Sequence, residues 1–244
     1  MGVINSLLSQ NERNKNIFKI SPFVLIFDYI YLCKSQMVQD KMFLKDVAII
    51  RTGVVLARKR ANSDEIEQME DLEGEAPEYL ALNLKSVSDS GEIDPSKVEY
   101  LCTKEPLSDV FLTHEDDILI RLSAPYTTML ITGGHTNLLV PSHFAIIRVI
   151  PEEADAAFVF HFLQDKSTKQ QILQNANGSS FLGTINSGFF ATIQIPDVPL
   201  EKQKIIGNMV RQAKLEQFLL KHLAEKKLKL RQLTIEAAYK KFKK

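Results

Sequence analysis

"IQIPDVPLEKQKII", residues 193–206, sets two prolines, Pro196 and Pro199, three residues apart at the end of a short apolar run. No proline follows Pro199 up to Phe242, and the only glycine in that span is Gly207. Proline suits a first helical turn, because its φ is already helical and its missing N–H would have had no partner. Glu201 follows where the helix dipole favours a negative charge. The pattern predicts one helix from Pro199 to Phe242, roughly 60 Å long. Ile206, Met209, Ala213, Leu220, Leu223, Leu230 and Ala237 recur at three- and four-residue intervals, an imperfect heptad seam broken by Glu216, Lys227 and Thr234. Such a one-sided apolar stripe requires a partner: another copy, a second helix of the same chain or another protein.

Upstream, residues 43–150 read as short strands between turns: "FLKDVAII", "GVVLAR", "EYLALNL", "DDILIRL", "TTMLIT", "TNLLV" and "HFAIIRVI". They are rich in β-branched residues and bounded by Gly, Pro, Asp or Ser. Strands and helices do not alternate, which excludes a doubly wound parallel sheet and predicts a curved, mostly antiparallel one. The period then changes. "EEADAAFVFHFLQD" (152–165) predicts a helix with Phe158, Phe162 and Leu163 on one face. "STKQQILQNA" (167–176) predicts a second, ended by Asn177-Gly178. The fold class is therefore α+β. Its parts are an N-terminal segment over residues 1–40, a globular domain over 41–198, and a long amphipathic helix over 199–244.

The net charge of zero conceals a division. Residues 1–200 carry 17 Lys/Arg against 26 Asp/Glu, whereas 201–244 carry 13 against 4. A basic tail can approach a polyanion although the whole chain is neutral. "DEIEQMEDLEGEAPE" (64–78) holds eight carboxylates and reads as a solvated loop. "PFVLIFDYIYLC" (22–33) is too short to span a bilayer and contains Asp28, so it reads as a buried element rather than a membrane anchor. Cys33 and Cys102 lie far apart with no metal-ligand spacing, which fits a reducing cytoplasm.

Catalytic patterns are scarce. The histidines at 114, 135, 143, 161 and 222 are scattered, and "ITGGHT" (131–136) reads as a turn rather than a phosphate cradle. Pro196-Asp197 and Glu225-Lys226-Lys227 have the letters of a metal-dependent nuclease, but about seven helical turns would separate them. The chain reads as a non-enzyme with no metal site. What remains is a recognition surface in three pieces. "ARKRANS" (57–63) places Arg58, Lys59 and Arg60 at a strand end, for phosphate contact. "RLSAPYTT" (121–128) gathers Arg121, Ser123, Tyr126 and Thr127 around a Pro turn, where an arginine fork can read guanine and hydroxyls can reach bases or phosphates. "QNANGSSF" (174–181) reads as a polar loop offering Asn177, Ser179 and Ser180.

From about Phe43 onward, the order of "LKDVAIIRTGVV", "EDDILIRLSAPYTTMLI", "SHFAIIRV", "FVFHFLQDKSTKQQI", "NGSSFLGTINSGFFATIQIP" and "VPLEKQKII" resembles the specificity subunit of type I DNA restriction–modification systems. The last two strings carry the resemblance most specifically. It implies a non-catalytic subunit whose target-recognition domain reads double-stranded DNA and whose long helix is a conserved spacer. Two such domains at opposite ends of paired antiparallel helices read the halves of a split site. Methyltransferase subunits dock on the helices and methylate adenine with S-adenosylmethionine. A restriction subunit using ATP and Mg is an optional further partner. This sequence has one domain and one helix, so the resemblance implies a homodimer formed through residues 199–242 and a two-fold symmetric site. Where many relatives carry a Gly-rich turn after the "DILI" strand, this chain has "SAPYTT". A paralogue that keeps the fold and assembly helix without reading DNA is the competing expectation.

Overall fold

The computed structural model describes residues 41–71, 76–179 and 183–242. The segment 1–40 lies outside them. Met42–Lys244 forms one compact unit. Eight strands are described: β1 Lys41–Phe43, β2 Ala48–Thr52, β3 Glu78–Ala81, β4 Glu99–Cys102, β5 Ile118–Arg121, β6 Thr128–Leu130, β7 Phe144–Val149 and β8 Gln194–Pro196. Four of them form an antiparallel sheet in the order β2-β7-β5-β6, while β3 with β4 and β1 with β8 form two-stranded ribbons. The longer helices are α1 Ser63–Asp71, α2 Ala156–Leu163, α3 Lys166–Ser179 and α4 Leu200–Phe242.

Strand β5 explains the centre of the domain. Ile118, Leu119 and Ile120 are all fully buried, so both faces of the strand are covered. Leu119 sits opposite Met129 on β6 and Ile146 on β7, and these three join Phe144, Leu82 and Val140 in one apolar cluster. Side chains one residue along point to the other face, and α2 packs on β6 and β7. Burying a side chain of this size contributes about 1.5–3 kcal/mol, so this doubly covered strand anchors the domain. A smaller cluster of Val54, Ala81, Leu101 and Leu139 seats the β3–β4 ribbon.

An α+β domain with a mostly antiparallel sheet and a long C-terminal helix is what the sequence predicts. Several local expectations change. "FLKDVAII" begins with a helical turn, Leu44–Val47, before β2, because the Asp46 carboxylate accepts the Phe43 N–H at 3.1 Å. "GVVLAR" forms no strand. Val54 makes one bridge to Pro141, and Leu56–Lys59 is a helical turn closed by the Arg60 N–H on the Leu56 carbonyl. "TNLLV" forms no strand: Thr136 and Asn137 make a turn, with Asn137 at a φ of 61°, and Leu139 bridges Ala81 and Leu112.

The acidic loop expected over 64–78 is helical through Asp71. The Asn62 side chain accepts the Glu65 N–H at 2.8 Å and Glu65 accepts the Asn62 N–H at 3.0 Å, a reciprocal cap that starts α1. Helix α2 begins at Ala156 rather than at 152, where the Asp155 carboxylate caps the Phe158 N–H at 2.9 Å. Helix α3 runs through Asn177-Gly178 to Ser179, so 174–179 is helix and not a polar loop. Pro199 lies just before α4, its carbonyl accepting from the N–H groups of Lys202 and Gln203 at 2.8 and 3.1 Å.

Candidate nucleic-acid interface and its mounting

Strand ends place polar side chains along one edge of the four-stranded sheet. Arg121 closes β5 opposite Phe144 at the start of β7, and Thr52 closes β2 opposite Ala145. The turn after β5 contains a cis Ala124-Pro125 bond, and the Tyr126 N–H returns to the Ser123 carbonyl at 2.9 Å. Tyr126 has a φ of 56°, and its hydroxyl donates to the Gly183 carbonyl at 2.6 Å. Ser123 bridges Thr184, and the Ile185 N–H donates to the Leu122 carbonyl at 2.8 Å. Residues 183–187 therefore run beside the 121–126 turn. The Ser187 hydroxyl then meets that of Thr52 at 2.7 Å. Arg121, Ser123, Tyr126, Thr184, Ser187 and Thr52 thus share one polar edge. Among the described residues Arg121 is not ion-paired; its Nε donates to the Ser123 hydroxyl at 3.3 Å.

The other predicted site residues sit differently. Thr127 is buried, with only 7% of its surface exposed, and its carbonyl accepts the Arg121 N–H at 2.9 Å, so it shapes the turn from inside. Arg58, Lys59 and Arg60 lie on the helical turn and residue leading to the β3–β4 ribbon. Arg60 bridges Thr103, and the Lys104 N–H donates to the Lys59 carbonyl at 3.0 Å. Lys59 pairs with Glu105 and Arg60 with Glu99. Lys59 holds the Glu105 carboxyl below its ordinary pKa. Both acids lie in or just after β4, not in the acidic stretch 64–78, and among the described residues Arg58 is the one cation of the three with no acidic partner. Asn177 and Ser179 fall on the last turn of α3, where their side chains lie outside the described residues, as does Ser180 altogether.

Helix α4 carries this edge through a joint that sequence patterns did not single out. Gln203 is almost fully buried, its amide donating to the Val198 carbonyl at 2.7 Å and its carbonyl oxygen accepting the Asp155 N–H at 3.0 Å. One turn on, a Cβ built on Gly207 would lie 1.9 Å from Asp155 Oδ1, so any side chain there would have to displace the Asp155 carboxylate. Another turn on, Arg211 donates to Asp155 Oδ2 at 3.0 Å and to Asp116 Oδ2 at 2.7 Å. Burial opposes the charge on Arg211, but the hydrogen bonds it donates to Asp116 and Asp155 outweigh burial and hold its pKa above the ordinary value. Lys214 lies over the Phe160 ring at 4.6 Å; burial lowers its pKa, against the pull of Glu92. Lys221 pairs with Glu92. A cation over a ring face is attracted by its quadrupole.

Behind the joint, Arg148 on β7 grips the 1% exposed Asp117 with two hydrogen bonds of 2.8 and 2.7 Å. Its guanidinium also donates to the Leu112 carbonyl at 3.0 Å, tying 112–117 to the sheet. Asp116, one end of the Arg211 clamp, is thereby held by its neighbour.

Gln203, Gly207, Arg211, Lys214 and Lys221 recur every three, four or seven residues and mark the domain-facing side of α4. The seam predicted from sequence drifts around the helix: Ile206 is half-buried near the joint, whereas Met209, Ala213, Leu220, Leu223 and Leu230 are exposed. A straighter stripe is formed by Leu215, Leu219, Leu223, Leu230 and Leu233, each at least half exposed. It is turned about 130° around the axis from the domain-facing side. Leu215, Leu219, Leu220 and Leu223 line a shallow apolar hollow along it.

No group of His, Cys, Asp or Glu among the described residues is arranged to hold a metal, and none of the described helices is long and apolar enough to cross a membrane. A sequence model of the family described as "Type I restriction modification DNA specificity domain" matches residues 40–230. No curated protein matches the chain. Among solved structures, a chain reported as "Structural basis underlying complex assembly and conformational transition of the type I R-M system" matches with a TM-score of 0.53 at 14% identity, over 76% of this chain and 45% of that one. The HsdS subunit from Thermoanaerobacter tengcongensis matches with a TM-score of 0.50 at 15% identity, over 75% and 44%. The chain thus spans less than half the length of the structures it matches.

Proposed function

Because the chain belongs to the family of type I restriction–modification DNA specificity domains, we propose that it is a non-catalytic subunit that reads double-stranded DNA and directs an adenine methyltransferase to its site. The observation that carries this reading is the polar edge of Arg121, Ser123, Tyr126 and residues 184–187, mounted on a helix through a built joint. An arginine fork and neighbouring hydroxyls supply both base-edge and phosphate contacts. Arg58 adds a cation farther along the domain, whereas Lys59 and Arg60 already have acidic partners.

The chain's partners follow from the same reading. Two copies pair through the exposed leucine stripe of α4, so that two recognition domains read the halves of a split, two-fold symmetric site. The methyltransferase binds the same helical rod and supplies S-adenosylmethionine; ATP and Mg belong to a restriction subunit where one joins. The chain itself contributes no cofactor site to this scheme. The salt-bridged Lys59 and Arg60 favour a second reading, a paralogue that keeps the fold and helix without selecting sequence.

Co-purification with the cognate methyltransferase, followed by mapping of methylated adenines in DNA of random sequence, separates the two. Methylation at one split motif, lost in Arg121→Ala, is the expected result. Methylation without sequence preference would support the paralogue. Sedimentation tests the pairing: the parent chain runs as a dimer and Leu223→Glu/Leu230→Glu as a monomer.

A further inference from the structure

We infer that Arg211 is a positioning residue that clamps the globular domain at one angle to α4 and so limits the gaps between half-sites that the protein accepts; the gap effect rests on the DNA-reading assignment above. The geometry separates a pivot from a brace. Gln203 and Gly207 bring helix and domain into closest approach, where a side chain at 207 would have to push the Asp155 carboxylate aside. One close contact leaves the domain free to rock about it. Arg211, a turn farther along, reaches two carboxylates from different segments: Asp116 in the turn before β5, and Asp155 at the start of α2. A planar guanidinium holding two acceptors at once resists rotation in a way one point charge cannot.

Both acceptors are themselves fixed. Asp155 Oδ1 caps α2 while Oδ2 takes Arg211, and Asp116 adjoins the buried Asp117–Arg148 pair. Asp116 also has a φ of 64°, in the left-handed region, so its backbone takes an uncommon turn where it meets the helix. The outer contact, Lys221 with Glu92, joins more exposed groups and restrains less. Arg211 also has no part in the polar edge, so its effect on DNA choice acts through geometry alone.

The test measures the angle directly in the full chain. Nitroxide labels are placed on the domain by Asp89→Cys and on the helix by Lys229→Cys, with Cys33 and Cys102 replaced by serine. Labelled protein is diluted with unlabelled protein, so that only distances within one chain are read. Lys229 lies about 33 Å beyond Gly207 along the helix, so a swing of about 10° moves its label by about 6 Å. The parent gives a narrow distance distribution; Arg211→Gln and Asp116→Asn broaden it on that scale, and Arg211→Lys falls between. A distribution in Arg211→Gln as narrow as the parent's overturns the clamp, and so does equal broadening in the control Lys221→Gln. With the methyltransferase bound, Arg211→Gln is expected to methylate sites whose gaps the parent rejects. Unchanged gap selection overturns the specificity effect. Absence of any sequence preference in the parent would overturn the DNA-reading assignment instead, while the clamp stands or falls on the distances.

Discussion

Gly207 and Asp155 meet so closely that a Cβ at position 207 would lie 1.9 Å from the aspartate oxygen that caps α2. The one glycine in the long helix therefore marks where the rod passes the domain. Gly207→Ala gains about 1 kcal/mol of helix propensity. It also displaces a carboxylate that is an N-cap and an ion-pair partner, and crowding of this kind costs about 1–3 kcal/mol. Thermal unfolding is expected to show net destabilisation, and Gly207→Ala/Asp155→Ala to cost less than the sum of the two single changes. Additive costs would mean that the two residues do not share a contact.

Asp117 and Arg148 form a second, deeper pair. With Asp117 only 1% exposed and held by both arms of the guanidinium, removing one partner strands a charge. Arg148→Met is expected to lower unfolding free energy in urea by about 3–5 kcal/mol. The same loss should appear in Asp117→Ala, with no change in the helix content of the folded state.

The two groups of cations should behave differently toward DNA. Arg121→Ala is expected to weaken specific binding by about 1–3 kcal/mol and relax base preference at one position. Lys59→Ala and Arg60→Ala remove charges already paired with Glu105 and Glu99, and should change affinity less. Tyr126→Phe deletes the hydrogen bond to the Gly183 carbonyl, worth about 1 kcal/mol, and loosens the turn. Binding isotherms at several salt concentrations read all four variants.

Asp94 provides a pH signature. Hydrogen bonds from Lys97, then from Ser96, pull its pKa from 3.8 down to about 2. A depressed folded pKa means that its contribution is present above the unfolded value and is lost as pH falls from about 3.8 toward 2. NMR titration of the Asp94 carboxyl should give the low midpoint in the parent, and Lys97→Met should move it back up. A midpoint unchanged by Lys97→Met would show that Lys97 is not the cause.

The strands at 118–121 and 144–149 and the helix from 200 were legible because their apolar residues are numerous and evenly spaced. Helix α1 was not: eight carboxylates in a row of fifteen look solvated, and the pair of side chains capping it, Asn62 and Glu65, is a local hydrogen-bond decision. The helical turn at Leu56–Lys59 was missed because β-branched residues precede it and nothing in its letters ends the strand.

By itself, the sequence determined the class of fold, the long terminal helix and the family, since these rest on periodicity, proline placement and ordered motifs along one dimension. Tertiary structure alone decided which polar residues share an edge, which cations are already paired, and that Gly207 and Arg211 seat the helix on the domain. Those facts join residues dozens of positions apart, such as Arg211 with Asp116 and Tyr126 with Gly183. Hydrogen bonds and close contacts depend on distances of a few ångströms in space, and spacing along the chain carries no measure of them.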